Sequence, residues 1–220
     1  MGVHGRSSGC GSLLAIFFGL LLLTAGAVAN FAAPAWINRE NARLAALPRL
    51  GTEALNASGV GLEAAVEGVI PQTQPRQYRE FVAFVREQAS MGRDPRGQWV
   101  ELGRVTPPIQ VHMAGGAVMR VFNNNYDIRN PITTFTDSVL VTNGTTRYRG
   151  FEVGHKVVVV GKTAREGGSM GMDADFVAAG TLDDYTSGQS DSLFIVRIIG
   201  GVLAGLGAVI LGFAIIAMRH

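Results

Sequence analysis

Ser169 has the spacing around it that most resembles a reactive serine. Gly167-Gly168-Ser169-Met170-Gly171 matches G-x-S-x-G, the sharp turn that exposes the nucleophile of α/β-hydrolases. That turn needs a strand before the serine and a helix after it. The residues before Ser169 read as a strand, but MDADFVAAG after it is strand-like too. His112 and His155 are bases in principle, and nothing in their spacing places either beside Ser169. The segment therefore reads as a hairpin turn, and no catalytic residue is assigned. Asp173, Asp175, Asp183, Asp184 and Asp191 form an acidic zone whose oxygens suit a hard cation. Their order lacks the D-x-D-x-D-G pattern of an EF-hand loop, so they read as a solvated linker. His4, His112, His155 and His220 show no ligand spacing. No cofactor and no metal site is expected.

Arg120, Arg129, Arg147 and Arg149 alternate with Phe122, Tyr126, Tyr148 and Phe151. On a β-barrel such a set could stack bases and neutralise phosphates. The formal net charge of +2 is too small to imply nucleic acid, and the start of the chain looks export-directed. Core aromatics with solvated arginines are the preferred reading, and no nucleic acid is expected as a partner. Asn56-Ala57-Ser58 and Asn143-Gly144-Thr145 match the glycosylation pattern but read more simply as turns.

The elements that hold these residues are dominated by two apolar stretches. From Ile198 to Met218 there is no charged residue. A helix of about 21 residues is roughly 30 Å long, the thickness of a bilayer's hydrocarbon core. Arg219 and His220 end it at the polar boundary, and Arg197 lies where a long side chain can snorkel to the headgroups. Near the start, LLAIFFGLLLLTAGAVANFAAPAWI allows two readings. As an anchor it spans residues 13–33, with Trp36 at the interface. As a signal peptide it ends at the A-x-A site Ala27-Val28-Ala29. The anchor is preferred because the apolar character continues past Ala29. Residues 34–51 read as a juxtamembrane helix, with Trp36, Ile37, Leu44 and Leu47 on one face and Arg39 and Arg43 solvated.

Positive charge near the membrane is heavier beside the middle domain (Arg39, Arg43, Arg49, Arg197) than on the tails (Arg6, Arg219). A long domain can be translocated regardless of such charge. The expected arrangement is two spans of a bacterial cell membrane with the middle domain outside the cytoplasm. In the last helix, Gly201 and Gly205 form G-x-x-x-G, and Ala204, Ala208 and Gly212 continue the small-residue pattern. Small residues let helices approach closely, so a partner is expected there, either the first helix or a second copy.

Composition fits this plan. The chain has 220 residues, 47% hydrophobic and 16% charged, enough for one modest domain besides the spans. Cys10 is the only cysteine, which excludes an internal disulfide and a ring finger. Residues 52–182 change to a period of two. VGLEAAVEGVI, REFVAFVREQ and QWVELGRV read as strands, the first with Val60, Leu62, Ala64, Val66 and Ile70 on one face. PPIQVHMAGGAVMRVFN and DSVLVTNGTTRYRGF read as hairpins turning at Ala114-Gly115-Gly116 and Asn143-Gly144. SMGRDPRG and NNNYDIRNP read as loops. GHKVVVVGKTA reads as a central strand bounded by Gly154 and Gly161, and ADFVAAGTL as a final short strand. The fold expected is all-β, an OB-like barrel or small sandwich, between two transmembrane helices. Residues 1–12 form a tail, 183–193 a linker, 194–218 the second span and 219–220 a last tail.

This order resembles the GIDE domain, the membrane domain of the mitochondrial ubiquitin ligase, which has bacterial relatives. The resemblance rests on LEAAVEGVI opening the β domain, on GFEVGHKVVVVGKTA, and on the YTSGQSDS linker before the second helix. It covers about residues 55–218 and rests on spacing more than on a sharp motif. It implies a β domain held between two membrane helices and a role in binding partners beside the membrane. Ligase activity belongs to the family's ring finger and does not carry over. The function expected is therefore non-catalytic binding or scaffolding at a bilayer, with a protein partner or homo-oligomer through the second helix. The alternatives are an accessory subunit of a larger membrane complex and an envelope hydrolase.

Overall fold

The structure, a computed structural model of the whole chain, describes residues 8–89, 99–137 and 145–219. The chain divides into a helical unit, Met1–Leu44 with Thr186–His220, and a β unit, Ala45–Tyr185.

In the helical unit, α1 (Ser8–Ala27) runs through one π-helical turn, Val28–Ala32, into α2 (Ala33–Ala45). The widened turn has a chemical cause. Pro34 has no N–H to return to Asn30 and its ring crowds the preceding turn. The Asn30 side chain donates to the carbonyl of Gly26, one turn back, at 2.9 Å. The second long helix, α4, spans Leu182–Arg219, so residues 183–193 are helical turns and not the expected linker. Leu13–Ala45 and Leu182–Ile216 are both long and apolar enough to cross a bilayer. Only 11% and 17% of their most apolar windows is buried, unlike the core helix of a soluble protein.

The β unit opens with a short helix, α3 (Thr52–Ala57), followed by ten strands among the described residues. One sheet has six: β1 (Glu63–Val69), β4 (Gln110–Met113), β5 (Val118–Arg120), β6 (Asp127–Arg129), β9 (Lys156–Glu166) and β10 (Ser169–Ala179). Their order is β5-β4-β1-β9-β10-β6, antiparallel except that β6 lies parallel to β10. The other sheet is antiparallel: β2 (Phe81–Ala89), β3 (Trp99–Val105), β7 (Thr133–Asp137) and β8 (Thr146–Glu152), in the order β3-β2-β8-β7. The two sheets share one core. Ala64, Val66, Val157, Val159 and Val177 of the first sheet cluster with Val82, Ala83 and Phe151 of the second.

The valine run behaves as a central strand. Val157–Val160 are all buried, because β9 is covered on both faces. Val157 and Val159 face the shared core. On the other face the first turn of α4 docks: Leu182 N–H donates to Glu67 Oε1 at 3.0 Å, and Tyr185 lies on Phe176 with ring centroids 5.3 Å apart.

Several expectations are corrected. The first strand begins only at Glu63, and Val60 and Leu62 are exposed ahead of it. β9 runs through Gly161 rather than ending there; the glycine pairs with Ala174 where the β9–β10 ladder bulges. β10 is eleven residues long and already includes Ser169. NNNYDIRNP contains β6, and Asn123 extends the pairing by exchanging two 2.8 Å hydrogen bonds with the backbone of Ala174. Every residue from Phe81 to Val85 is buried, so the first half of β2 is covered on both faces. The helix that follows the first apolar stretch stops at Ala45, with Trp36 exposed and Leu44 buried. The Asn143-Gly144 turn and the whole of SMGRDPRG lie outside the described residues. The strands fall in two sheets with no ladder joining them among the described residues.

Candidate binding site

Chemistry-bearing side chains gather on the four-stranded sheet, on the face turned away from Phe151 and the core. The register builds two rows across that face. In the first, Gly103, Arg86, Tyr148 and Phe135 are successive partners through β3, β2, β8 and β7. In the second, Val105, Phe84, Gly150 and Thr133 are partners in the same way. Each row therefore contains one position with no side chain. The register depends on a bulge: Arg86 pairs with Gly103 and Glu87 with Glu101, leaving Leu102 as the extra residue of β3.

Gly150 serves close packing. A Cβ there would stand 2.1 Å from the Ala83 carbonyl oxygen and 2.8 Å from Phe84 Cβ. Gly103 serves space, since a Cβ there would meet nothing within 4 Å. The result is a cavity of about 360 Å³ floored at Gly103 and walled by Tyr78, Phe84, Arg86 and Tyr148.

The aromatic wall is tightly arranged. Tyr78 stacks on Tyr148 with centroids 4.6 Å apart and an interplanar angle of 29°. Phe84 meets Tyr148 edge-on at 5.6 Å, and Phe135 lies 6.3 Å from it. Such arrangements follow the ring quadrupole. Tyr78 arrives from outside the sheet through a tight turn that bridges it to Phe81. Arg79 in that turn has φ +51°, a left-handed conformation that costs a non-glycine residue energy. Its guanidinium lies 3.8 Å from the Phe135 centroid and 5.7 Å from that of Tyr78, a cation–π clamp that holds the turn over the sheet. Burial, then the hydrogen bond with Tyr78, raises the Tyr148 phenol above its ordinary value, and nearby Arg86 pulls the other way. The Tyr148 phenol is thus neutral at physiological pH.

Of the two arginines at the cavity, Arg104 is engaged by Glu101 and Asp127. Arg86 has no carboxylate partner among the described residues.

The sequence-level candidates are dispersed. Arg147 is on the opposite face, bonded to Glu87 at 2.5 Å and 4.0 Å above Trp99. Arg149 is 3.8 Å from Glu87. Arg129 covers Phe176 at 4.1 Å, while Tyr126 and Phe151 are core residues. These residues do not form one face. Ser169 follows the left-handed pair Gly167-Gly168 in a hairpin and is followed by strand, which is not a nucleophile elbow. His155 Nδ1 accepts the backbone N–H of Glu152 at 3.1 Å. Asp183 is bonded to Arg49, and Asp184 caps the start of α4 by exchanging hydrogen bonds with Thr181. Among the described residues no three His, Cys, Asp or Glu side chains come together.

In the helical unit, α1 and α4 are antiparallel. Gly19 lies against Gly207 and Leu211, and Gly26 against Gly200 and Ala204. The α4 face buried in this pairing repeats every seven residues, as Leu193, Gly200, Gly207 and Ala214. Ala204 therefore belongs to the contact, but Gly201, Gly205 and Gly212 do not; a Cβ at any of these three meets nothing within 4 Å, and Ala208 is exposed. Trp36, Arg39 and Arg197 are exposed, and Arg43 pairs with Glu40 at 3.2 Å. Arg219 is the last residue of α4.

Tyr78, Phe84, Arg86, Gly103 and Phe135 were not legible as a site in the sequence. Their local signal is a period of two within each strand, Phe84 with Arg86 and Tyr148 with Gly150. Comparison with family models, with curated proteins and with solved structures returns no match.

Proposed function

We propose that the protein is a membrane-anchored, non-catalytic binding protein whose β unit recognises a ligand or partner on the outer face of its four-stranded sheet. The carrying observation is the cavity at the Gly103–Arg86–Tyr148–Phe135 row. A concave, largely aromatic site with a few polar groups is the usual form of a ligand pocket. A left-handed arginine holding its wall in place is an expense that ordinary packing does not require. Two anchoring spans, supported by the two apolar helices, and a β unit outside the cytoplasm complete the proposal; the helices bear on the spans and not on the side. The GIDE-like relationship is part of it, supported by a β unit lying between those helices in the chain. So is an OB-like form of the β unit, supported only by the single core and by the bulges that bend its ladders.

The test uses the full chain in lipid nanodiscs. A panel of neutral, cationic and anionic ring compounds is screened by saturation-transfer NMR against the parent and Gly103→Trp, whose indole occupies the cavity. Binding to the parent that the variant loses supports the proposal. No binding, or equal binding to both, overturns it.

The second reading is an accessory subunit of a larger membrane complex, or self-association through α4. It is favoured by the open face at Gly201, Gly205, Ala208 and Gly212. A stable assembly in mild detergent that Gly205→Leu disrupts supports it, and a clean monomer counts against it.

A further inference from the structure

We infer that the cavity takes a planar apolar group that carries a free carboxylate. This rests on the binding proposal above and names the chemistry of its ligand. A volume of 360 Å³ lies near the low end of the roughly 300–1,000 Å³ typical of small-molecule sites. It accommodates one ring on a short tether. Phe84 and Tyr148 meet at 67°, so together they offer one ring both a face and an edge.

The charge follows from which cation is already engaged. Arg104 is neutralised by two carboxylates, and Arg79 is spread over Phe135. Arg86 stands in the row between Gly103 and Tyr148 with no acid opposite it among the described residues. A guanidinium matches a carboxylate in two parallel hydrogen bonds. One uncommitted guanidinium balances a singly charged carboxylate. A dianionic phosphate would need a second free cation.

The mouth bears on the source of the ligand. β3 is the outermost described strand of its sheet, and Gly103 leaves a notch in its row of side chains. A ligand seated over the notch can continue past the sheet's edge. A free aromatic acid and the C-terminal aromatic residue of a polypeptide carry the same ring and carboxylate.

The experiment titrates four probes into the full chain in nanodiscs: 3-phenylpropionate, 3-phenylpropionamide, a Gly-Ser-Gly-Ser-Phe peptide with a free C-terminus, and the same peptide amidated. The acids are expected to bind about tenfold or more tightly than their amides, the size of a charge-assisted pair. Arg86→Gln should bring each acid down to its amide and leave the amides unchanged, which also shows that the variant is folded. Tighter binding of the free peptide than of phenylpropionate assigns a polypeptide C-terminus, and the reverse order a small acid. Equal binding of acid and amide, acid binding indifferent to Arg86→Gln, or no binding of any probe overturns the inference. If the ring-compound panel still loses its hits in Gly103→Trp, the binding proposal survives that failure.

Discussion

Arg49 and Asp183, 134 residues apart in the chain, are joined by two side-chain hydrogen bonds. Arg49 precedes β1 and Asp183 is in the first turn of α4, so the pair ties the beginning of the β unit to its end. Both side chains are largely exposed, at 49% and 71%. Exposed pairs contribute little and are screened by salt. Asp183→Asn is therefore expected to lower the melting temperature slightly in dilute buffer. The difference should vanish near roughly 1 M salt, where the Debye length is about 3 Å. A difference that survives high salt would mean that Asp183 acts through something other than this pair.

The two glycine sets of α4 should behave oppositely. A Cβ at Gly207 would lie 2.7 Å from the Gly19 carbonyl oxygen, whereas one at Gly205 meets nothing. Gly207→Leu is expected to cost about 1–3 kcal/mol through overpacking. Gly205→Leu should stay within about 0.5 kcal/mol in a monomer. Thermal unfolding of the two variants in detergent checks this. Equal destabilisation would show that the helices meet on another face.

A second pair of glycines separates packing from space within the candidate binding face. Gly150→Ala drives a methyl into the Ala83 carbonyl and should destabilise by about 1–3 kcal/mol. Gly103→Ala enters open space on a strand and should be neutral or stabilising, by up to about 1 kcal/mol. Circular dichroism melts of both variants read the difference.

Tyr126 makes stability depend on alkaline pH. It is fully buried, donates to the Pro107 carbonyl at 2.8 Å, and burial pushes its phenol well above the ordinary value. The folded state thus holds this proton more tightly than the unfolded chain does. The stabilisation is fully present below the unfolded value of about 10 and is lost as pH rises through the folded one. Tyr126→Phe should cost about 1 kcal/mol at neutral pH for the lost hydrogen bond. It should also flatten the fall in melting temperature above about pH 10. A variant that keeps the parent's alkaline slope would assign that slope to another group.

Some features were legible from local chemistry alone. Four consecutive valines cannot alternate between core and water, so Val157–Val160 announce a strand covered on both sides. Gly167-Gly168 and Gly115-Gly116 announce turns, and all four adopt left-handed backbone in the structure. The charge-free run from Ile198 to Met218 sets a helix of bilayer length whatever surrounds it.

Tertiary structure decided what depends on partners distant in the chain. β6 is only three residues long and exists because β10 and Asn123 pair beside it, which no local period reports. On α4, Gly200 and Gly201 are equally small, and only the rotation of α1 against the helix selects the seven-residue set over G-x-x-x-G. The candidate binding face depends on the same kind of choice. Gly103, Arg86, Tyr148 and Phe135 come from four strands, and the one-residue bulge at Leu102 keeps them aligned. Because strand side chains alternate with a period of two, a slip of one residue would turn Arg86 to the opposite face. The sequence therefore determined strands, turns and helices of bilayer length, which are set by neighbours along the chain. The site was decided by register, which is set by long-range packing.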